Sequence, residues 1–277
     1  MIKKCLFPAA GYGTRFLPAS KAVPKEMLPI LTKPLLQYGV EEALSAGITN
    51  MAIVTGRGKR AIEDHFDNSF ELESQLQGTA KEHYLYEIKD VIQKSTFTYV
   101  RQQKMLGLGH AILTGEPLIG EEPFAVLLAD DLVDCKGPSV LEQMLIKYNK
   151  YKCSIIAIQE IPKESISNYG IVNGDLVDNS IDTFRIHDMV EKPIESNSNL
   201  AIIGRYILTP DIFDILKKIP PNKDGEIQIT DALLIQAKMG NVIGVKFNGD
   251  RFDCGSIDGF IDATNHFAKK LEHSLIK

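Results

Sequence analysis

From Lys3 to Gln159, short apolar runs alternate with stretches of helical periodicity. This alternation restricts the chain more than any other feature, because it is the pattern of βαβ units laid into a mostly parallel sheet. Strand-like runs fall at Lys3–Phe7, Met51–Thr55, Phe97–Arg101, Phe124–Leu128 and Ser154–Gln159. Helical spacing covers Leu35–Ala46, Lys59–Phe66, Phe70–Ile92, His110–Gly115 and Ser139–Tyr151. The expected fold class is therefore α/β: a doubly wound, Rossmann-like sheet with helices on both faces and ligands at the carboxyl ends of its strands. The loops after Phe7, Arg101 and Leu128 then converge on one crevice. Beyond Ile161 the character shifts to short strands, Gly170–Val172, Asp182–Val190 and Ala201–Ile207, before helices return at Pro210–Lys217 and Thr230–Met239. That middle stretch reads as an insertion facing the crevice, and the last helix, Ile257–Leu275, as a candidate dimer element. With no repeat, low-complexity segment or Gly/Ser linker, residues 1–277 read as a single domain. A chain of this length buries about three quarters of its unfolded surface and needs no external staple.

The first of the three loops carries the strongest chemical signal. Phe7 to Pro29 reads FPAAGYGTRFLPASKAVPKEMLP. Gly11 and Gly13 let the backbone bend so that main-chain N–H groups face an anion. Arg15, Lys21, Lys25 and Lys33 follow in a chain whose formal net charge is -5, so the local field opposes the global one and suits a polyphosphate. Pro18, Pro24 and Pro29 forbid a continuous helix, and the segment is expected to run largely extended. It reads as a cradle for a nucleoside triphosphate. Two better-known phosphate motifs are excluded: bulky Phe16 replaces the third glycine of a dinucleotide fingerprint, and no G-x-x-x-x-G-K-[ST] run occurs.

Cys5, Cys135, Cys153 and Cys254 are scattered without C-x-x-C spacing, which argues against a zinc site and a disulfide framework and fits a reducing cytoplasm. Pro8 and Gly11 cut the N-terminal apolar run too early for a signal h-region, and no run approaches the ~18 apolar residues of a membrane span. The acidic balance excludes nucleic acid as the expected partner.

Further motifs follow the first loop in fixed order: Arg101-Gln102, Gly107-Leu108-Gly109-His110-Ala111, Leu128-Ala129-Asp130-Asp131, Tyr169-Gly170, Val190-Glu191-Lys192-Pro193, Gly225 to Ala232 and Arg251-Phe252-Asp253-Cys254-Gly255. Together with Leu6 to Pro18 and Pro24 to Pro29, they resemble the signature of the sugar-1-phosphate nucleotidyltransferase family. The long proline–lysine loop is most similar to its bacterial UTP–glucose-1-phosphate uridylyltransferase branch. The match spans the chain.

The resemblance implies attack by glucose 1-phosphate on the α-phosphorus of UTP, giving UDP-glucose and pyrophosphate. A phosphate monoester with a second pKa near ~6 arrives already ionised, so no general base is required. The protein must align two anions and neutralise the charge gathering on pyrophosphate. By resemblance Asp130 and Asp253 hold Mg2+, an ion that favours one or two carboxylates beside phosphate oxygens. Read without the resemblance, Asp130 and Asp131 are equally solvated strand-end residues and Asp253 a turn former. Arg15 and Lys25 are the implied triphosphate ligands, and Lys192 the sugar-phosphate ligand; surface ion pairing is the alternative for each. Ala9, Ala10, Gly11, Gly13, Thr14, Gln102 and Gly107 form the implied nucleotide site. Gln102 offers a donor and an acceptor to a uracil edge, though alone it reads as an exposed strand-end residue. Glu191 and Gly170 complete the implied sugar-phosphate site. The halves divide accordingly: 1–130 for the nucleotide, 131–255 for the sugar phosphate, 256–277 as the C-terminal helix. A homo-oligomer is expected. The rival readings are a same-fold enzyme using dTTP or another NTP, and a UDP-sugar glycosyltransferase, which usually wants an Asp-x-Asp motif.

Overall fold

Cys5 and Phe7 face one way from the first strand, Leu6 faces the other, and all three are fully buried. A strand buried on both sides needs a layer of helices on each. The computed structural model describes residues 2–177 and 179–275, the side chains of 273–275 excepted. The last two positions of the expected 256–277 segment lie outside the described residues. The first part of the chain forms β1 (Lys4–Pro8), β2 (Pro29–Ile30), β3 (Lys33–Pro34), α1 (Leu35–Ser45), β4 (Asn50–Thr55), α2 (Arg60–His65), α3 (Phe70–Leu76), α4 (Tyr86–Lys94), β5 (Thr96–Arg101), α5 (Gly107–Thr114), α6 (Glu116–Ile119) and β6 (Phe124–Leu127). It continues as β7 (Asp131–Asp134), α7 (Val140–Tyr151), β8 (Ser154–Glu160), β9 (Gly170–Leu176), β10 (Thr183–Glu191), β11 (Leu200–Leu208), α8 (Asp211–Leu216), α9 (Ile229–Lys238), β12 (Val242–Lys246), β13 (Asp250–Asp253) and α10 (Ile257–Leu275). Leu36 and Val40 of α1 and Leu141 and Met144 of α7 cover one face of the sheet; Ile112 of α5, Phe213 of α8 and Leu233 of α9 cover the other.

The main sheet has nine strands in the order β5-β4-β1-β6-β11-β8-β12-β10-β9. Pairings among β5, β4, β1 and β6 are parallel, as expected from the βαβ alternation. The second half differs. β11 runs antiparallel to β6 and β8, and β10 antiparallel to β12 and β9, so the sheet is mixed rather than mostly parallel. The reason is the length of the connections. β9 ends at Leu176 and β10 begins at Thr183, too close for a helical crossover, so the chain can only return antiparallel. The strands beyond Ile161 therefore join the same sheet and form no separate insertion.

Two local expectations are corrected as well. The helix expected over Phe70–Ile92 breaks at Gly78, which sits in the left-handed region at φ 74; α3 has no buried residue and α4 buries only Val91, so no continuous apolar face joins them. The stretch from Phe7 to Pro29 is not extended but folds into three short 3-10 turns, Thr14–Phe16, Ala19–Lys21 and Lys25–Met27, each set between the prolines or glycines that bar a longer helix.

A small ribbon, too short to show periodicity, decides the geometry of the crevice. β7 pairs antiparallel with β13 and sets Asp131 opposite Asp253. On the opposite wall, α5 presses against the segment before α9. Gly109 N donates to Ile227 O at 2.9 Å and Ile227 N to Leu106 O at 2.8 Å. A β-carbon at Gly109 would lie 2.6 Å from Ile227 O. Gly109→Ala is therefore expected to destabilise the protein by about 1–3 kcal/mol, read as a lowered midpoint in urea, whereas Gly137→Ala, with nothing within 4 Å, is expected to leave the midpoint in place.

Candidate active site

The loops after β1, β5 and β6 do converge. Between them opens a cleft of about 380 Å3 lined by Ala10, Gly11, Gly13, Thr14, Lys25, Gln102, Gly107 and Asp130. A second cleft of about 290 Å3 adjoins it and shares Gly107, Leu108, Leu128, Asp130 and Glu226. Its other walls include Arg15, Asp131, Tyr169, Gly170, Glu191, Lys192, Arg251 and Asp253. Residues drawn from opposite ends of the chain thus meet at Asp130. Ala9 is the exception among the expected site residues: it is buried, and its N–H extends the β1–β4 ladder to Val54 O at 2.8 Å. Lys21 and Lys33 line neither cleft, and Lys33 pairs with Glu41 at 2.8 Å.

In the first cleft, the turn at Gly13 has φ 66, and its carbonyl accepts from Ser20 Oγ at 2.7 Å. Lys25 Nζ donates to Asp130 Oδ2. Burial pulls the Lys25 ammonium down, but Asp130 and Glu26 outweigh it and leave its pKa above the ordinary lysine value. Burial pushes the Asp130 carboxyl up, and Lys25 and Arg15 more than reverse this, so it stays ionised below the usual carboxylate range. Next to Lys25, Glu26 is 2% exposed and pairs with Lys59 Nζ at 2.6 Å, while its Oε1 has no partner among the described residues. Gln102, expected at an exposed strand end, is buried, with Nε2 3.4 Å from Gly107 O and 2.8 Å from His110 Nδ1.

The carboxylates occupy the junction. A β-carbon on Gly255 would lie 3.0 Å from Asp253 Oδ1 and 3.1 Å from Asp130 Oδ2, so the two acids face each other across this glycine. Arg15 Nη1 donates to Gly255 O at 3.3 Å, closing the same corner. Asp131 points elsewhere: Oδ1 accepts from Arg251 Nε at 2.5 Å and Oδ2 from Gly204 N at 3.1 Å. Asp253 Oδ2 accepts from Tyr169 OH at 2.8 Å, and Arg251 Nη1 reaches that hydroxyl at 3.3 Å. Two hard carboxylate donors around a gap that a single methyl group would fill suit a small divalent cation that keeps water and phosphate ligands. Among the described residues no group of three or more His, Cys, Asp or Glu could hold a metal alone. Cys254, beside Asp253, is no nucleophile, since burial and then the neighbouring carboxylates push its thiol up to about 12.

In the second cleft, Glu191 Oε2 accepts from Thr230 Oγ1 at 2.5 Å and Oε1 lies 3.7 Å from Lys192 Nζ. Lys192 has φ 46, a left-handed backbone that L side chains rarely adopt, and its N–H donates to Tyr169 O at 3.0 Å. Gly170 lines the same cleft, and a β-carbon there would sit 3.2 Å from Glu191 Oε2.

Behind the junction lies a buried charge relay that sequence reasoning missed. Arg205, 1% exposed, pairs with Glu42 Oε2 at 2.6 Å and donates to Asp131 O, which fixes the backbone beside Asp130. Glu26, Tyr169 and Arg251 stood inside motifs and carried that signal; Lys59, Glu42 and Arg205 had none, because their partners lie tens of residues away.

These features agree with the comparisons to known proteins. The sequence profile of the family described as "Nucleotidyl transferase" matches residues 6–270. A UTP–glucose-1-phosphate uridylyltransferase of Pseudomonas aeruginosa is 63% identical over 274 residues, covering 98% of each chain. A crystal structure of UDP-glucose pyrophosphorylase complexed with UDP-glucose superposes with a TM-score of 0.91 at 57% identity, covering 98% of this chain and 100% of that one. UTP-bound UGPase from Acinetobacter baumannii superposes with a TM-score of 0.89 at 37% identity, covering 100% and 99%. No helix among the described residues is long and apolar enough to cross a membrane. By the profile that spans it, the chain belongs to the nucleotidyl transferase family.

Proposed function

We propose that this protein transfers a uridylyl group from UTP to glucose 1-phosphate, giving UDP-glucose and pyrophosphate. The observation that carries the reading is the pair of adjoining clefts meeting at Asp130, in a chain whose 63% identical relative is named for that reaction. The first cleft takes the nucleotide: Gly11 and Gly13 bring main-chain N–H groups to it, Thr14 and Ala10 line it, and Gln102 and Gly107 meet the base. The second takes the sugar phosphate. Glu191 accepts sugar hydroxyls, Gly170 permits close approach, and Lys192 binds the phosphate and aims it at the α-phosphorus.

Asp130 and Asp253 would hold Mg2+, which when bound supplies charge neutralisation on the phosphates. Arg15 and Lys25 compensate the pyrophosphate as it leaves, Arg15 through its fork and Lys25 as a point charge released from Asp130. No side chain needs to remove a proton, because the attacking phosphate oxygen is already ionised. The division of labour falls near residue 130, with 1–130 serving mainly the nucleotide and 131–255 mainly the sugar phosphate. Four free cysteines suit the reducing cytoplasm where these substrates occur. The exposed Ile257 and Ile261 of α10 suit contact with a second copy of the chain.

Pyrophosphate release with glucose 1-phosphate and each nucleoside triphosphate tests the reading. Cytosine offers an amino donor at C4 and a bare N3, the reverse of uracil, so kcat/KM with CTP is expected to be at least about a hundredfold below that with UTP. dTTP keeps uracil's edge but adds a methyl and lacks the 2′-hydroxyl, which together cost about 1–3 kcal/mol. Comparable kcat/KM for CTP and UTP, or release without UDP-glucose, would overturn the assignment.

A further inference from the structure

We infer that His110 is a positioning residue for base choice: by accepting from the Gln102 amide at Nδ1, it decides which end of that amide the base meets. The inference rests on the uridylyl-transfer reading above. Gln102 lies in the nucleotide cleft, one residue beyond β5, with its side chain buried. Its Nε2 has two neighbours, Gly107 O at 3.4 Å and His110 Nδ1 at 2.8 Å. A carbonyl oxygen can only accept, so the Gly107 contact demands the NH2 end of the amide on that side. The two amide hydrogens then serve both neighbours, provided Nδ1 is bare and the ring proton sits on Nε2. Burial lowers the His110 pKa below the ordinary histidine value, which keeps the ring neutral near pH 7.

The consequence falls on the other end of the amide. Oε1 takes no hydrogen bond among the described residues, so it remains an acceptor on the cleft side. Uracil carries a hydrogen on N3 and satisfies such an oxygen; cytosine carries a lone pair there and does not. With the ring proton on Nε2, turning the amide over would aim Oε1 at Gly107 O and His110 Nδ1 together, two contacts between acceptors, at the cost of leaving buried groups unpaired. Gly107 alone, at 3.4 Å, is a weak anchor. His110, three residues further along α5 and so on the same side of that helix, supplies the shorter and firmer one.

His110→Phe and His110→Asn separate this role from simple packing. Phe fills the space without an acceptor, whereas Asn offers Oδ1 near the place of Nδ1. His110→Phe is expected to lower the ratio of kcat/KM for UTP over CTP by about tenfold, through KM for the nucleotide, with KM for glucose 1-phosphate unchanged. His110→Asn is expected to keep the ratio within about twofold of the unmodified protein. In 15N NMR of the unmodified full chain, the His110 ring should show the Nε2–H tautomer, and the Nδ1 resonance should move in Gln102→Ala. An unchanged ratio in His110→Phe, an equal loss in both variants, or a ring protonated at Nδ1 overturns the inference. An unmodified protein with no preference for UTP overturns the uridylyl reading and this role with it, and the tautomer, which is read without nucleotide, identifies that failure as the reading's.

Discussion

Asp130→Asn is expected to lower kcat/KM for UDP-glucose formation by about a thousandfold or more, roughly 4 kcal/mol of transition-state stabilisation. Asp130 is the one aspartate that both clefts share, it faces Asp253 across Gly255, and its oxygen holds Lys25. An amide of the same shape keeps the space but removes the negative charge that would fix a cation against the phosphates. Stability should fall by only about 1 kcal/mol, because the Lys25–Asp130 pair is partly open to solvent, with side-chain exposures of 25% and 27%. The measurement is pyrophosphate release across a range of Mg2+ concentrations, with circular dichroism and urea unfolding on the same preparation. Activity within tenfold of the unmodified protein at saturating Mg2+ would remove Asp130 from the reacting centre.

Glu42→Ala should do the opposite, striking stability first. Arg205 is almost completely enclosed, and Glu42 is its charge partner, at 2.6 Å from Nη2 and 3.2 Å from Nε. Burial alone would pull the guanidinium down, and Glu42 is what holds it above the ordinary arginine value. Removing the carboxylate takes away the main compensation of a buried cation and leaves it only Asp131, a loss of about 3–5 kcal/mol. Glu42 Oε1 also accepts from Leu141 N at the start of α7 at 3.2 Å, so a helix terminus loses its partner too. The urea midpoint should drop at an unchanged slope. Glu42→Gln, which keeps one acceptor oxygen and loses the charge, should fall between. A shift below about 1 kcal/mol for Glu42→Ala would show that Arg205 is not held by this pair. Because Arg205 also holds Asp131 O, kcat should fall in the fraction that remains folded, linking a residue of α1 to the acid one position before that carbonyl.

The parallel half of the sheet was legible because its signals are local. A buried strand reads as an apolar run, a covering helix as a 3.6-residue period, and β1, β4 and β6 follow that grammar, while β5 at the sheet edge reads by alternation. The direction of β11 was not, since nothing within Leu200–Leu208 distinguishes a strand paired parallel from one paired antiparallel; the neighbours decide it. The ribbon of β7 and β13, four residues each, is shorter than any period that a pattern can reveal.

The candidate site divides along the same line. By itself the sequence determined the chemistry on offer: glycines that free a backbone after β1, a basic loop in an acidic chain, acids at the ends of Phe124–Ala129 and Arg251–Phe252, and a glutamine at the end of β5. These belong to single segments, whose composition speaks for itself. Only the tertiary structure decided which of them act together. It tied Asp131 to Arg251 and Gly204 at the wall of the second cleft and gave Asp130 to both, removed Ala9, Lys21 and Lys33 from them, and set Glu26 on Lys59 and Glu42 on Arg205. Such choices rest on charge desolvation and hydrogen-bond satisfaction between groups distant along the chain, and those energies do not exist until folding has excluded water from the space between them.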